Sequence, residues 1–94
     1  MDLSADARSI LDHVAKAEEP VAMSDCFHTV HPPTFDRSAA DDDPQREAWA
    51  QLQLGLYRAS IDLYEHGLVH IVHQADGTRP DLVVVTDAGR AALA

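Results

Sequence analysis

The chain has 94 residues, 46% of them hydrophobic, and seven basic residues against sixteen acidic ones give it a net charge of −9. That length suits one domain spanning residues 1–94 and is too short for two independent cores. No apolar run approaches the roughly 20 residues that a membrane crossing needs. Cys26 is the only cysteine, which excludes an internal disulfide, and the acidic start Met1-Asp2-Leu3-Ser4 has no basic flank or apolar block, so a cytoplasmic location is expected.

Twelve of the sixteen acids are Asp, and Lys16 is the only lysine. This resembles the composition of proteins from salt-loving archaea. It is also what a high-GC genome produces, and both explanations stand. Either way, so anionic a chain lacks the cations that grip phosphate non-specifically. There is no glycine-rich phosphate loop, nucleophile elbow or H-E-x-x-H motif, so neither enzymatic activity nor a cofactor is expected.

Ser4 reads as a helix N-cap with Asp6 in the first turn, and Ala7, Ile10, Leu11, Val14 and Ala17 recur at helical spacing. The pattern predicts a helix over about residues 4–18, ended before Pro20. Residues 21–30 are weaker, with a short second helix starting near Ser24 and Asp25 and stopped by His31-Pro32-Pro33. Residues 31–43 read as a loop. Its run Asp41-Asp42-Asp43 precedes Pro44, where a helix wants an N-cap and negative charge, so a helix start is favoured there over a metal site.

A long third helix is expected over residues 44–66. Trp49, Leu52, Leu56, Ala59 and Leu63 form one apolar stripe, and Ala50, Leu54, Tyr57, Ile61 and Tyr64 form a second beside it. A helix this apolar must be covered on two sides. In so small a chain the second cover is expected to be another copy, through Leu54, Tyr57, Ile61 and Tyr64. Two β-branched runs, residues 68–73 and 81–85, flank the turn signal Asp76-Gly77 and predict a hairpin with its tip at residues 74–80. Thr86 then caps a short final helix. The fold class expected is α+β: three helices, a two-stranded hairpin and a short C-terminal helix.

Leu63-Tyr64-Glu65-His66-Gly67-Leu68-Val69 resembles the L-x-x-x-G-L-V junction of winged-helix regulators, where a long helix ends on glycine and runs into the first wing strand. Val85-Thr86-Asp87-Ala88-Gly89-Arg90-Ala91-Ala92-Leu93 resembles the L-T-x-x-G-R-x-x-L ending of MarR-like and PadR-like regulators. Together the two motifs cover about a third of the chain, with a hairpin of the right length between them. The first half departs from the pattern. A helix-turn-helix unit usually joins its helices by a turn of roughly three or four residues, whereas here the loop over residues 31–43 intervenes.

The resemblance implies a winged-helix, DNA-binding transcriptional regulator acting on double-stranded DNA as a homodimer. On this sequence the implied DNA contacts are Gln45, Arg46, Gln51 and Arg58 on the third helix, Thr78 and Arg79 on the wing, and Arg37 in the loop. Arginine and glutamine suit this work because each can make paired hydrogen bonds to base edges. The alternative is a winged-helix module that docks on a protein partner through its acidic surface, since Glu47, Asp62 and Glu65 outnumber Arg58 on the polar strip of the third helix. A third reading uses Cys26, His28, His31, His66, His70 and His73 as metal ligands or a redox sensor. Their spacings match no standard zinc motif, and residues 70 and 73 fall on opposite faces of a strand.

Overall fold

The computed structural model describes residues 3–33, 38, 40, 42–78 and 80–94. Ser4 caps α1 (Ala5–Lys16) by accepting the Ala7 N–H at 3.1 Å. The chain then forms β1 (Val21–Ala22), α2 (Met23–Val30), α3 (Pro44–Glu65), β2 (Val69–His73), β3 (Leu82–Val85) and α4 (Asp87–Leu93). The architecture is α+β; the described residues form four helices and a three-stranded antiparallel sheet in the order β1-β3-β2. None of the helices among the described residues is long and apolar enough to cross a membrane.

The sheet corrects the expectation of a two-stranded hairpin. Val21 and Ala22 pair with Val83 and Leu82, so β3 is the central strand. A two-residue strand carries no readable alternation, and only the position of β3 makes it a strand. The second helix likewise begins earlier than expected. Its N-cap is Ala22, which makes no side-chain cap bond, and it runs directly out of β1.

The core explains the first stripe of α3. Ile10 and Leu11 of α1, Cys26 of α2, Leu56 and Leu63 of α3 and Val83 of β3 are fully buried. Each such aliphatic side chain contributes about 1.5–3 kcal/mol on leaving water. Only the C-terminal part of α3 meets this core, through Leu56, Ala59, Ser60 and Leu63, while Leu52 of the same stripe is exposed. Twenty-two residues make α3 about 33 Å long, so its first turns extend past the core in a molecule measuring 43 × 33 × 21 Å.

The end of α3 and the start of α4 lock together. Gly67 adopts φ +67°, a left-handed conformation that costs glycine little. Leu68 N–H donates to Leu63 O at 2.9 Å and Gly67 N–H to Tyr64 O at 3.1 Å, the two bonds of a Schellman ending. Thr86 Oγ1 donates to Gly67 O at 2.7 Å and accepts from Gly89 N–H at 3.0 Å, while Thr86 N–H donates to Leu68 O at 3.1 Å. Gly89 sits directly against the Leu68 carbonyl, where a Cβ could not fit.

Candidate nucleic-acid interface

The implied DNA contacts fall in three regions. Arg37 and Arg79 lie outside the described residues. Gln45 and Arg46 stand in the first turn of α3, Gln45 exposed and Arg46 half-buried. Asp43 caps that turn, its Oδ1 accepting from Gln45 N–H at 2.9 Å and Arg46 N–H at 3.3 Å. The positive end of the helix dipole therefore already faces a carboxylate, and a phosphate arriving there would have to be held by side chains.

Gln51 and Arg58 are both exposed and seven residues apart, which puts them about two turns apart on nearly the same face of α3. Glu47, Asp62 and Glu65 are exposed on that outer side too. Gln45 and Arg46 point in other directions around the helix. The five candidates in described residues thus form no single continuous basic surface.

The tip between β2 and β3 is organised by acids. Thr78 donates to Asp76 Oδ1 from both its backbone N–H (3.0 Å) and its hydroxyl (2.7 Å). Gly77 supplies the turn with φ +88°. With its proton engaged, the Thr78 hydroxyl offers only acceptor capacity outward, which does not suit a phosphate contact. Asp81 Oδ1 accepts Ala75 N–H at 2.6 Å across the base of the tip.

The apolar face of α3 is the strongest surface feature. Leu54 is 42% exposed, Tyr57 56% and Ile61 37%, and Tyr64 is half-buried. With exposed Ala50, these residues are spaced four, three, four and three apart. That is the spacing of a coiled-coil seam, which keeps one apolar edge facing a partner helix. Among the described residues, nothing covers it.

Trp49 and Gln53 have a role that the periodicity did not reveal. Trp49 Nε1–H donates to His31 O at 2.9 Å, and Gln53 Nε2–H donates to His31 O at 3.0 Å and Phe27 O at 3.4 Å. They supply donors to the C-cap carbonyl His31 O, and Gln53 adds a second donor to Phe27 O, which already accepts the His31 N–H at 3.0 Å. The Trp49 ring stacks on His28, with centroids 5.8 Å apart and planes 15° from parallel. Two donor-bearing side chains four residues apart were the available signal, but their acceptors lie across the loop.

The cysteine and histidines are dispersed. Cys26 is fully buried, and burial, helped by Asp25, pushes its thiol up to about 11. It is therefore protonated at neutral pH, the opposite of a reactive thiolate. His31 Nε2 lies 3.3 Å from Asp6 Oδ1, joining α1 to the end of α2. His66 Nδ1 sits 2.8 Å from Asp62 O. His70 is exposed and His73 half-buried, as strand alternation requires, despite a bulge between Ile71 and His73. Among the described residues, no three His, Cys, Asp or Glu side chains converge on a point.

No protein-family model matches the chain, and neither a curated protein nor a solved structure is significantly similar to it. The functional reading therefore rests on the molecule itself.

Proposed function

We propose that the chain is a homodimeric, winged-helix DNA-binding regulator of transcription, working in the cytoplasm. The observation that carries this reading is the order α1-β1-α2-α3-β2-β3 with the sheet paired β1-β3-β2. In that arrangement the hairpin over residues 69–85 is the wing and α3 is the helix that approaches the groove. Fold alone does not assign function, so the geometry of the pair matters.

The dimer forms through Leu54, Tyr57, Ile61 and Tyr64. An antiparallel pairing of two α3 helices over this seam is centred near Ala59, which sets the two Arg46 residues about 40 Å apart along the helix axes at a rise of 1.5 Å per residue. Successive major grooves on one face of B-DNA are about 34–36 Å apart. The N-terminal turns of the two helices, carrying Gln45 and Arg46, thus come within about 5 Å of the half-site spacing.

The test is fluorescence anisotropy with duplexes tiled across the gene's own upstream region, at low and at near-molar KCl. Sequence-selective binding that falls at least tenfold in Arg46→Ala, together with a dimer-to-monomer change in Ile61→Asp by sedimentation velocity, is the expected result. Absence of binding to every duplex at both salt concentrations overturns the DNA assignment.

A second reading is a protein-docking module. It is favoured by the outer side of α3, where exposed Leu54, Tyr57 and Ile61 are bordered by Glu47, Asp62 and Glu65. Apolar surface rimmed by charge is what docking sites present, and the acids there repel phosphate. If the duplexes fail, this face is the one to use as bait.

A further inference from the structure

A groove opens on the molecule between α2, α3 and the residues leading into β3. Its volume is about 250 Å³, and Met23, Phe27, Tyr57, Tyr64 and Asp81 line it. We propose that this groove binds a small organic cation with an apolar body, of the arylalkyl-ammonium class.

Three observations support the assignment. First, the lining offers three aromatic side chains and a methionine thioether. The negative faces of aromatic rings attract an ammonium group, and phenols do this better than most. Second, Asp81 is the one ionised group among the described lining residues. One of its carboxylate oxygens accepts the Ala75 N–H, which fixes the side chain, and the other is left to meet a charge. Third, the Asp81 carboxylate acts on the aromatic wall of the groove. Burial and then the Asp81 carboxylate raise the Tyr64 phenol above its usual range, so that ring stays neutral while the site carries the Asp81 charge. The chain's net charge of −9 further concentrates cations at its surface.

The size sets the class of ligand. Sites for drug-sized molecules usually run from about 300 Å³ upward, so this one suits a smaller body, such as one aromatic ring on a short amine. For a ligand of about nine non-hydrogen atoms in an open groove, a dissociation constant on the order of 0.1–1 mM is expected. Ligand binding here is independent of whether the chain binds DNA. Tyr57 and Tyr64 also belong to the dimer seam, so the site lies at the edge of that contact.

Three probes with the same phenyl body and different charge test the proposal: phenethylammonium, 2-phenylethanol and phenylacetate. Each is titrated into the isotope-labelled protein at 0.3 M NaCl, to screen loose ion condensation, and followed by amide chemical shifts. The expected result is saturable perturbation at residues 23–27, 57–64 and 81–82 by phenethylammonium. Binding of 2-phenylethanol should be at least fivefold weaker, and phenylacetate should not bind.

Asp81→Asn keeps the acceptor for Ala75 N–H and removes the charge, and should weaken phenethylammonium at least fivefold. Tyr57→Ala removes one ring that is exposed in the single chain and lies in the proposed dimer seam, so sedimentation velocity is run beside it; in a variant of unchanged oligomeric state, binding should weaken about threefold. Equal affinity for the cation and the neutral alcohol overturns the proposal. So does unchanged affinity in both variants, or perturbation spread evenly over the acidic surface.

Discussion

The two helix ends that frame the candidate site are closed in different ways. α3 stops on its own sequence: Gly67 turns left-handed, Leu68 and Gly67 N–H groups bond back to Leu63 and Tyr64, and Thr86 ties the turn to α4. α2 stops on borrowed groups. The C-cap carbonyl, His31 O, is answered by Trp49 and Gln53, 18 and 22 residues further along the chain, and Gln53 adds a second donor to Phe27 O, which already accepts the His31 N–H. The first kind of ending forms its turn from residues 63–68 alone, and Thr86 and Gly89 then pack onto it. The second makes the end of α2 depend on where α3 lies, so a shift of α3 on binding DNA or a partner would be felt in α2.

This contrast also changes the meaning of the winged-helix resemblance. The residues that carry it, Gly67, Leu68, Thr86 and Gly89, are the ones that clamp α3 to α4. They report how the fold is closed and say little about what α3 touches. The functional candidates lie elsewhere, on the first turns and outer side of α3.

The sharpest way to break the comparison is at Gly89. Gly89→Ala drives a Cβ into the Leu68 carbonyl, and backbone cannot yield as a side chain can. The expected cost is about 3 kcal/mol in denaturant unfolding. Gly55→Ala in α3 is its counterpart. There the nearest atom is Asp6 Oδ2 at 3.3 Å, the end of a movable side chain, and alanine favours a helix interior by up to about 1 kcal/mol. Gly55→Ala should therefore be neutral or stabilising. Similar losses in both variants would show that the α3–α4 clamp is not special.

A smaller effect comes from Cys26 under α2. Its thiol titrates near 9.0 when exposed and at about 11 in the fold. Between those values the unfolded chain has released the proton and the folded chain has not, so stability is full below pH 9 and falls as pH rises toward 11. The loss expected is about 2 kcal/mol. Unfolding measured at pH 8 and pH 10.5 should show that fall in the parent protein, and a clearly smaller one in Cys26→Ala. An equal fall in both would place the alkaline sensitivity elsewhere.

The smallest effect expected is at the borrowed ending. Trp49→Phe keeps a ring to stack on His28 and deletes the donor to His31 O, while Gln53 still supplies one bond. A loss of about 1 kcal/mol is expected, with hydrogen exchange at the end of α2 accelerated more than at the end of α3. Equal acceleration at both ends would mean that the two endings are not independent.

Much of the element order was legible in the chain. Ser4, Asp43 and Thr86 are the N-caps that their position before apolar or helix-forming runs suggests, and Asp76-Gly77 marks the turn between β2 and β3. Helix boundaries shifted by a residue or two. β1 was not legible because two residues have no period. The depth of Leu52 was not legible either, because a stripe tells which side of a helix is apolar and not how far along it the core extends. Of the candidate site, the exposure of Leu54, Tyr57 and Ile61 agreed with the need for a second cover. The groove around Asp81 had no sequence signature, since its lining comes from three separate segments.

What the sequence by itself determined is local: where helices start and stop, where the hairpin turns, and which α3 residues share an edge. Those depend on interactions between residues no more than a few positions apart, which side-chain type and spacing specify. What only the tertiary structure decided is which groups meet across the chain: Val21 on Val83, Trp49 and Gln53 on the end of α2, Gly89 on Leu68, and Tyr64 beside Asp81. Those contacts follow from burying α1, α3 and β3 around one core, a requirement satisfied by the whole chain at once and written in no single segment of it.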